Sequence, residues 1–306
     1  MSFIPWWLNT IFYGMFSAFF DIAAQQLKGN VRLTTIYYGI GNFLILFPFM
    51  FFVTAPRSIT YYLLVIVTGI IIFVNDRRWM QTVAKYGSIV VATFSPLSIP
   101  LMTVVWWILN PVLLINLLKQ FDAFIITIIC VATPVLSIFL YNYYGNKNND
   151  DLLNKEAFRF FVPCIIMGIF QGIFIRYAVD PVDTLTAVVY TSGLISLING
   201  GLNLIALISE NHFTGYRHLS VRLIDKRERK SGLYSLLFLS LYAFFKYQSM
   251  KFAPNPAYIS AITISISPTV TIIFNKINKI KSNVNYKLTA IFVMSSLILI
   301  LVSLKH

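Results

Sequence analysis

Six charged residues fall inside apolar stretches of this sequence: Asp21, Asp76, Arg77, Arg78, Arg176 and Lys246. A charge at mid-bilayer costs about 2.5–3.5 kcal/mol on insertion scales, so such residues face a cavity or a partner. Asp21 belongs to a stripe of Thr10, Gly14, Ser17, Asp21 and Gln25, whose three- and four-residue steps share one helix face. The alternative is that Asp21 and Gln25 reach the water interface at a helix end. Arg78, Gln81 and Lys85 form a second stripe. With Asp76 and Arg77 it reads either as a site where guanidinium forks grip a carboxylate or phosphate, or as an interfacial segment beyond a span ending at Val74. Arg176 stands four residues before Asp180, the spacing of an ion pair on one helix face. Lys246 shares a face with Tyr242 and Ser249 and either enters a cavity or snorkels to the interface. The carboxylates could exchange protons and the basic groups could hold an anion. Two acids against four bases sum to +2, which favours an anionic or zwitterionic ligand. Tyr38, Asn42 and Tyr190 would add hydrogen bonds and stacking surface.

Other chemistries lack their residues. There is no glycine-rich loop ending in Lys-Ser/Thr to cradle phosphates. The histidines, His212, His218 and His306, stand near no paired cysteines, and no nucleophile–base set is visible. Glu210, His212, His218 and Asp225 read as a solvated loop. Cys130 and Cys164 lie in apolar runs and read as small packed hydrophobes. No enzyme, cofactor or metal is expected.

The elements that must position these residues follow from composition. The chain has 306 residues, 58% hydrophobic, 16% aromatic and only 11% charged. An ordinary soluble domain is roughly 25% charged, so the solvent of this chain is largely lipid. Lipid satisfies no backbone group, which leaves helices or closed barrels. The apolar runs are helix-length rather than alternating, and imply ten spans: 5–26, 33–53, 60–84, 87–107, 121–141, 158–179, 184–208, 232–252, 257–275 and 286–304. No secretory cleavage pattern follows the first, which is expected to be retained. Pro96, Pro100 and Pro268 fall inside spans and are candidate hinges. Trp6, Trp7, Trp106 and Trp107 read as interface anchors.

The net charge is +13. With no nucleic-acid motif, basic loops on the cytoplasmic side explain it better. One side would hold Lys28, Arg32, Lys85, Lys147, Lys155, Arg159, six basic residues of the 210–230 loop, Lys276, Lys279, Lys281 and Lys287, sixteen in all. The other would hold four: Arg57, Lys119, Lys251 and Lys305. That count puts both termini outside.

A polar linker at 144–156 divides the chain into halves 1–143 and 157–306. Phe3-Ile4-Pro5 with Ile11-Phe12-Tyr13-Gly14 matches Phe161-Val162-Pro163 with Ile169-Phe170-Gln171-Gly172 at identical spacing. Thr34, Tyr38 and Gly41 match Thr186, Tyr190 and Gly193. Ala84-Lys85-Tyr86 followed by Pro100 and Thr103 matches Met250-Lys251-Phe252 followed by Pro268 and Thr271, with two extra residues. Five helices per half is odd, so the halves insert in opposite orientation, the inverted repeat of many secondary transporters.

The layout and these marks resemble the EamA-like ten-helix branch of the drug/metabolite transporter superfamily. In that family the third span of each half ends in an Ala-Leu-Lys-Tyr-like sequence, with a proline about fifteen residues on. The chain departs where Asn110-Pro111 and Asn278-Lys279 replace the usual glutamate after each fourth span, and Ser295-Ser296 the usual glycines of the last. The resemblance implies an all-α multi-pass protein of a bacterial inner membrane, with both termini in the cytoplasm. It also implies alternating-access transport of a small organic metabolite, coupled to protons or a counter-substrate, by a monomer or homodimer. The alternatives are a flippase or scramblase for a lipid or lipid carrier, and a membrane assembly subunit without transport.

Overall fold

The computed structural model describes residues 4–27, 30–86, 95–145, 155–214, 226–279 and 286–304. Among them every element is helical and there is no strand. In chain order these are α1 (Trp6–Leu27), α2 (Val31–Leu46, continued by a 3-10 turn Phe47–Phe51), α3 (Ile59–Tyr86), α4 (Ser98–Leu109), α5 (Pro111–Leu118), α6 (Phe121–Gly145), α7 (Lys155–Val179), α8 (184–214), α9 (Lys226–Phe252), α10 (Pro256–Ile277) and α11 (Tyr286–Leu304). Within α8 the residues Ala187–Thr191 form a π turn. Most of the 144–156 linker, the start of the 87–107 span and the middle of the basic 210–230 loop lie outside the described residues.

Among the described residues five stretches are long and apolar enough to cross a membrane: Arg32–Phe51, Ile59–Trp79, Phe158–Val179, Thr184–Glu210 and Pro256–Ile277. A sixth arises if α4 and α5, bent by 104° at Asn110–Pro111, count as one. The chain is an integral membrane protein, and large apolar side chains such as Phe51, Phe52, Ile59, Ile108 and Ile277 stand exposed on its outside. Proline sets the bend: the residue before it is kept out of the helical region, and Asn110 has φ −132° and ψ 66°. The candidate hinges sit elsewhere. Pro96 lies in the 3-10 turn Ser95–Leu97 and Pro100 in the first turn of α4, where a missing N–H costs no helical hydrogen bond. Pro268 falls within α10, with its side chain outside the described residues. Trp106 and Trp107 are buried rather than at an interface, packed on Tyr177 and Phe124 at ring distances of 5.6 and 6.0 Å.

Side-chain caps start several helices. Asn30 accepts from the N–H groups of Arg32 and Leu33, and Asn255 from that of Ala257, with Pro256 at the first position of α10. Asp183 accepts from the Thr186 N–H at 2.9 Å and from the Thr186 hydroxyl.

The packing crosses the chain's midpoint. α1 lies against α9 and α10, α2 against α8 and α9, and α3 against α7 and α8. α7 also touches α4, α6 packs on α11, and α10 packs on α4 and α11. Small residues permit the closest approach. A Cβ on Gly39 of α2 would lie 2.7 Å from the Gly200 Cα of α8. Hydroxyls tie the outer helices, since Ser296 donates to the Ala261 carbonyl at 2.8 Å and Ser295 to that of Cys130 at 2.7 Å. Such small and hydroxylated contacts drive helix association where lipid supplies no hydrophobic force.

Two outcomes follow. Gly39→Ala forces backbone against backbone and is expected to destabilise by about 1–3 kcal/mol. Gly201→Ala, with nothing within 4 Å of the added carbon, should be near neutral. Equal melting temperatures for the two variants in detergent would contradict the close crossing. At Asp183, partial burial raises the carboxyl pKa, but hydrogen bonds from Thr186 and the backbone outweigh it and hold it below the usual carboxylate range. A folded value below the unfolded one stabilises above the unfolded pKa and is lost as pH falls through the folded value. The melting gap between the protein and Asp183→Ala should therefore be widest near about pH 7 and close towards about pH 2.

Candidate functional site

The buried face of α3 runs through Tyr61, Val65, Thr68, Ile72 and Asn75. Asp76 adjoins that face, and its Oδ2 accepts a hydrogen bond from Tyr38 Oη of α2 at 2.5 Å and one from Asn199 Nδ2 of α8 at 2.9 Å. Asn203, one turn further along α8, donates to the Asn199 carbonyl and Oδ1 at 2.9 and 3.0 Å, which fixes the Asn199 amide. A second node lies one turn along α2. Asn42 donates to the hydroxyls of Ser192 and Ser196 at 3.0 and 2.8 Å and accepts from Ser240 of α9 at 2.9 Å. Both amide hydrogens of Asn42 are used, as burial requires.

Beside the Asp76 node is a cavity of about 250 Å³, walled by residues of α1, α2, α3, α4, α7, α8, α9 and α10. Asp21, Asp76 and Lys246 line it, together with Tyr13, Tyr38 and Tyr242. Asp21 Oδ1 accepts from Trp79 Nε1 at 3.3 Å. Lys246 is only 5% exposed. Its ammonium donates to Tyr242 Oη at 3.1 Å and lies 5.2 and 6.0 Å from the ring centres of Tyr242 and Tyr13. Those two rings meet edge to face at 4.9 Å.

Each acid keeps one oxygen, Oδ2 of Asp21 and Oδ1 of Asp76, without a hydrogen-bond donor among the described residues. Lys246 keeps N–H groups beyond the one given to Tyr242. The cavity thus offers acceptors for an ammonium, donors for a carboxylate, and aromatic walls suited to either a cation or an apolar body.

Other candidates lie off the cavity. Arg77, Arg78 and Gln81 are exposed, because successive helical residues turn by about 100° and carry them away from the face of Asp76. The Gln25 side chain is outside the described residues. Tyr190 donates to the Met50 carbonyl at 3.1 Å, and Asn42 is consumed by its serines. The sequence reading passed over Asn199, Ser196, Asn75, Gln171 and Trp79, all in the cavity wall. A signal existed for the first two, since Ser192, Ser196, Asn199 and Asn203 recur at steps of four, three and four, the spacing that singled out the stripe on α1.

The cavity wall reaches towards both ends of the bundle. Lys246 and Met250 come six and two residues before the end of α9, while towards the other end Asp21 comes six residues before the end of α1, Trp79 seven before the end of α3, and Phe161 six after the start of α7. The end where α1 and α3 finish is held by α2 and α8. At the opposite end, α7 and α9 finish side by side and cap one another. Arg176 donates to the carbonyls of Met250 and Lys251 and pairs with Asp180 at 3.3 Å. Lys251 donates to the carbonyls of Val179 and Asp180 at 3.2 and 3.1 Å, and to that of Val182. Cations at helix C-termini also oppose the dipoles of both helices. At the end where α1 and α3 finish, Arg32 donates to the Ala206 carbonyl at 3.2 Å and pairs with Glu210, whose side chain is 55% exposed.

No protein-family model matches the chain, and no curated protein matches it.

Lys251→Met strips three carbonyls of their donor and is expected to destabilise the protein by about 1–3 kcal/mol, read as a lower melting temperature in detergent. An unchanged melting temperature would mean that the clasp holds nothing.

Proposed function

We propose that this chain is a secondary transporter of a small zwitterionic organic metabolite, worked by alternating access between two inverted five-helix halves. The reading rests on one observation: a cavity walled from both halves holds two carboxylates with free oxygens opposite a buried lysine. The substrate ammonium would meet Asp21 or Asp76, its carboxylate Lys246, and its apolar part the tyrosines. The carboxylates would also exchange protons for coupling. An anionic substrate loses its support because Arg77 and Arg78, on which it depended, lie outside the cavity.

The packing supports the repeat. Exchange α1 with α7, α2 with α8, α3 with α9, α4–α5 with α10, and α6 with α11. The contact of α1 with α9 then becomes α7 with α3, α1 with α10 becomes α7 with α4, and α2 with α9 becomes α8 with α3. Pairs α2–α8, α6–α11 and α4–α10 return to themselves. The glycines matched in sequence behave alike: a Cβ on Gly14 would meet Ile266 of α10 at 3.0 Å, and one on Gly172 would meet Met102 of α4 at 2.8 Å. With α4–α5 taken as one broken span, the helices among the described residues number ten, and ten spans would match the layout of the EamA-like transporters that the sequence resembles. A bacterial inner membrane, with the basic loops in the cytoplasm, suits the charge distribution. A flippase would need cations in a groove continuous with the cavity, whereas Arg77 and Arg78 stand on another face of α3.

Thermal-shift measurements on the purified protein test the reading. Neutral amino-acid-like zwitterions should raise the melting temperature. The response should vanish in Asp76→Asn and Lys246→Met and persist in the double variant Arg77→Gln/Arg78→Gln. Stabilisation by dicarboxylates or phosphates, lost on changing the two arginines, would restore the anion. A response to lipid headgroups alone, lost on changing Asp76 or Lys246, would favour lipid handling.

A further inference from the structure

The outer face of α3 changes character along its length. Leu63, Ile66, Val67, Ile70 and Val74 are exposed, and the same stripe continues through Arg77, Arg78, Gln81 and Lys85, also exposed. Steps of three and four residues keep these positions on one face. The stripe contains no acid, since Asp76 is bonded inward to Tyr38 and Asn199. The Arg78 carbonyl accepts from the Thr82 hydroxyl at 2.8 Å, but the side chains of Arg77 and Arg78 make no hydrogen bond or ion pair with another described residue. The neighbouring α7, whose Phe161 ring lies 5.2 Å from that of Trp79, adds the exposed Arg159 near the same end.

We propose that this face of α3 binds an anionic phospholipid, its acyl chain along Ile66–Val74 and its phosphate held by Arg77 and Arg78, with Gln81 beside the headgroup. Two planar forks suit phosphate oxygens. The length also fits: from Ile66 to Arg77 is about 16 Å of helix at 1.5 Å per residue, close to one leaflet of a hydrocarbon core about 30 Å thick. A soluble phosphate would satisfy the arginines but leave the apolar stripe uncovered, whereas a phospholipid covers both. The inference is independent of the transport reading, because none of these residues lines the cavity.

The test is native mass spectrometry of the detergent-purified full chain titrated with phosphatidylglycerol or phosphatidylcholine of matched acyl chains. Phosphatidylglycerol should bind the tighter, and increasingly weakly as salt rises. Basic residues near the surface each contribute about 1 kcal/mol to anionic lipid attraction, so Arg77→Gln/Arg78→Gln should weaken phosphatidylglycerol about 30-fold and leave phosphatidylcholine unchanged. The matched variant Arg229→Gln/Lys230→Gln, which removes two exposed charges from the start of α9, should change neither. Equal binding of the two lipids by the unaltered protein would overturn the proposal, as would an equal loss in the α9 variant, which would mean diffuse surface charge. Glycerol phosphate binding as tightly as the lipid would assign the arginines to a soluble anion. A dimer mass that excludes lipid, and dissociates when the arginines are changed, would assign the face to a second copy of the chain. Loss of the zwitterion response with lipid binding intact would bear on the transport reading alone.

Discussion

The hydrogen bonds that Asp76 accepts from Tyr38 and Asn199 organise the interior of this bundle. A carboxylate away from water must find donors or it opposes folding, and here the donors come from two other helices. The junction therefore sets α2, α3 and α8 relative to one another. Three constraints on α2 lie within five residues: Tyr38 reaches Asp76, Gly39 admits the backbone of α8, and Asn42 binds serines of α8 and α9. One short segment thus holds both polar nodes and a crossing of backbone on backbone. The cavity is the space left beside this segment, and its charged groups are positioned by the same contacts.

Much of the helical framework was legible because a run of apolar residues must be a helix in lipid. The segments expected at 5–26 and 286–304 are helical almost residue for residue as α1 and α11, though neither is among the five described stretches long and apolar enough to cross a membrane. The short helix α5 was not legible: it falls between the spans expected at 87–107 and 121–141, and its eight residues are too few to read as a span. In the site, Asp21, Tyr38, Asp76, Tyr242 and Lys246 come together in the cavity wall, because a costly charge or a polar stripe on an apolar helix carries directional information. Asp76, Arg77 and Arg78 misled for a geometric reason. Adjacent in sequence they read as one cluster, yet helical rotation turns the acid inward and the arginines outward. Asn199 and Ser196 were missed because neutral amides and hydroxyls cost too little in a membrane helix to attract notice singly.

The two ends of the bundle are held with unequal strength. Where α2 meets the end of α8, Arg32 pairs with a glutamate that is more than half exposed, and such pairs contribute about 0–1 kcal/mol. At the other end, Arg176 and Lys251 together serve five backbone carbonyls. Each of those acceptors would lose a charge-assisted hydrogen bond if the ends of α7 and α9 separated. These two helix ends therefore behave as a single body, and the easier rearrangement lies where α2 meets the end of α8.

The π turn of α8 has a consequence at the level of heredity. Its residues make contacts on either side of the helix, Thr191 with Tyr61 at 2.8 Å and Tyr190 with Met50 at 3.1 Å. The turn holds one residue more than an α-helix needs. A π turn advances by about 80° per residue, so its five residues sweep about the same angle as four α-helical residues at about 100° each. Removing one codon within 187–191 would therefore let α8 close into an unbroken helix with Ser192, Ser196, Asn199 and Asn203 still turned towards Asn42 and Asp76. The loss would fall on the contacts of the turn itself, those of Tyr190 and Thr191, and the gene could shed a codon there without scrambling the polar face that follows.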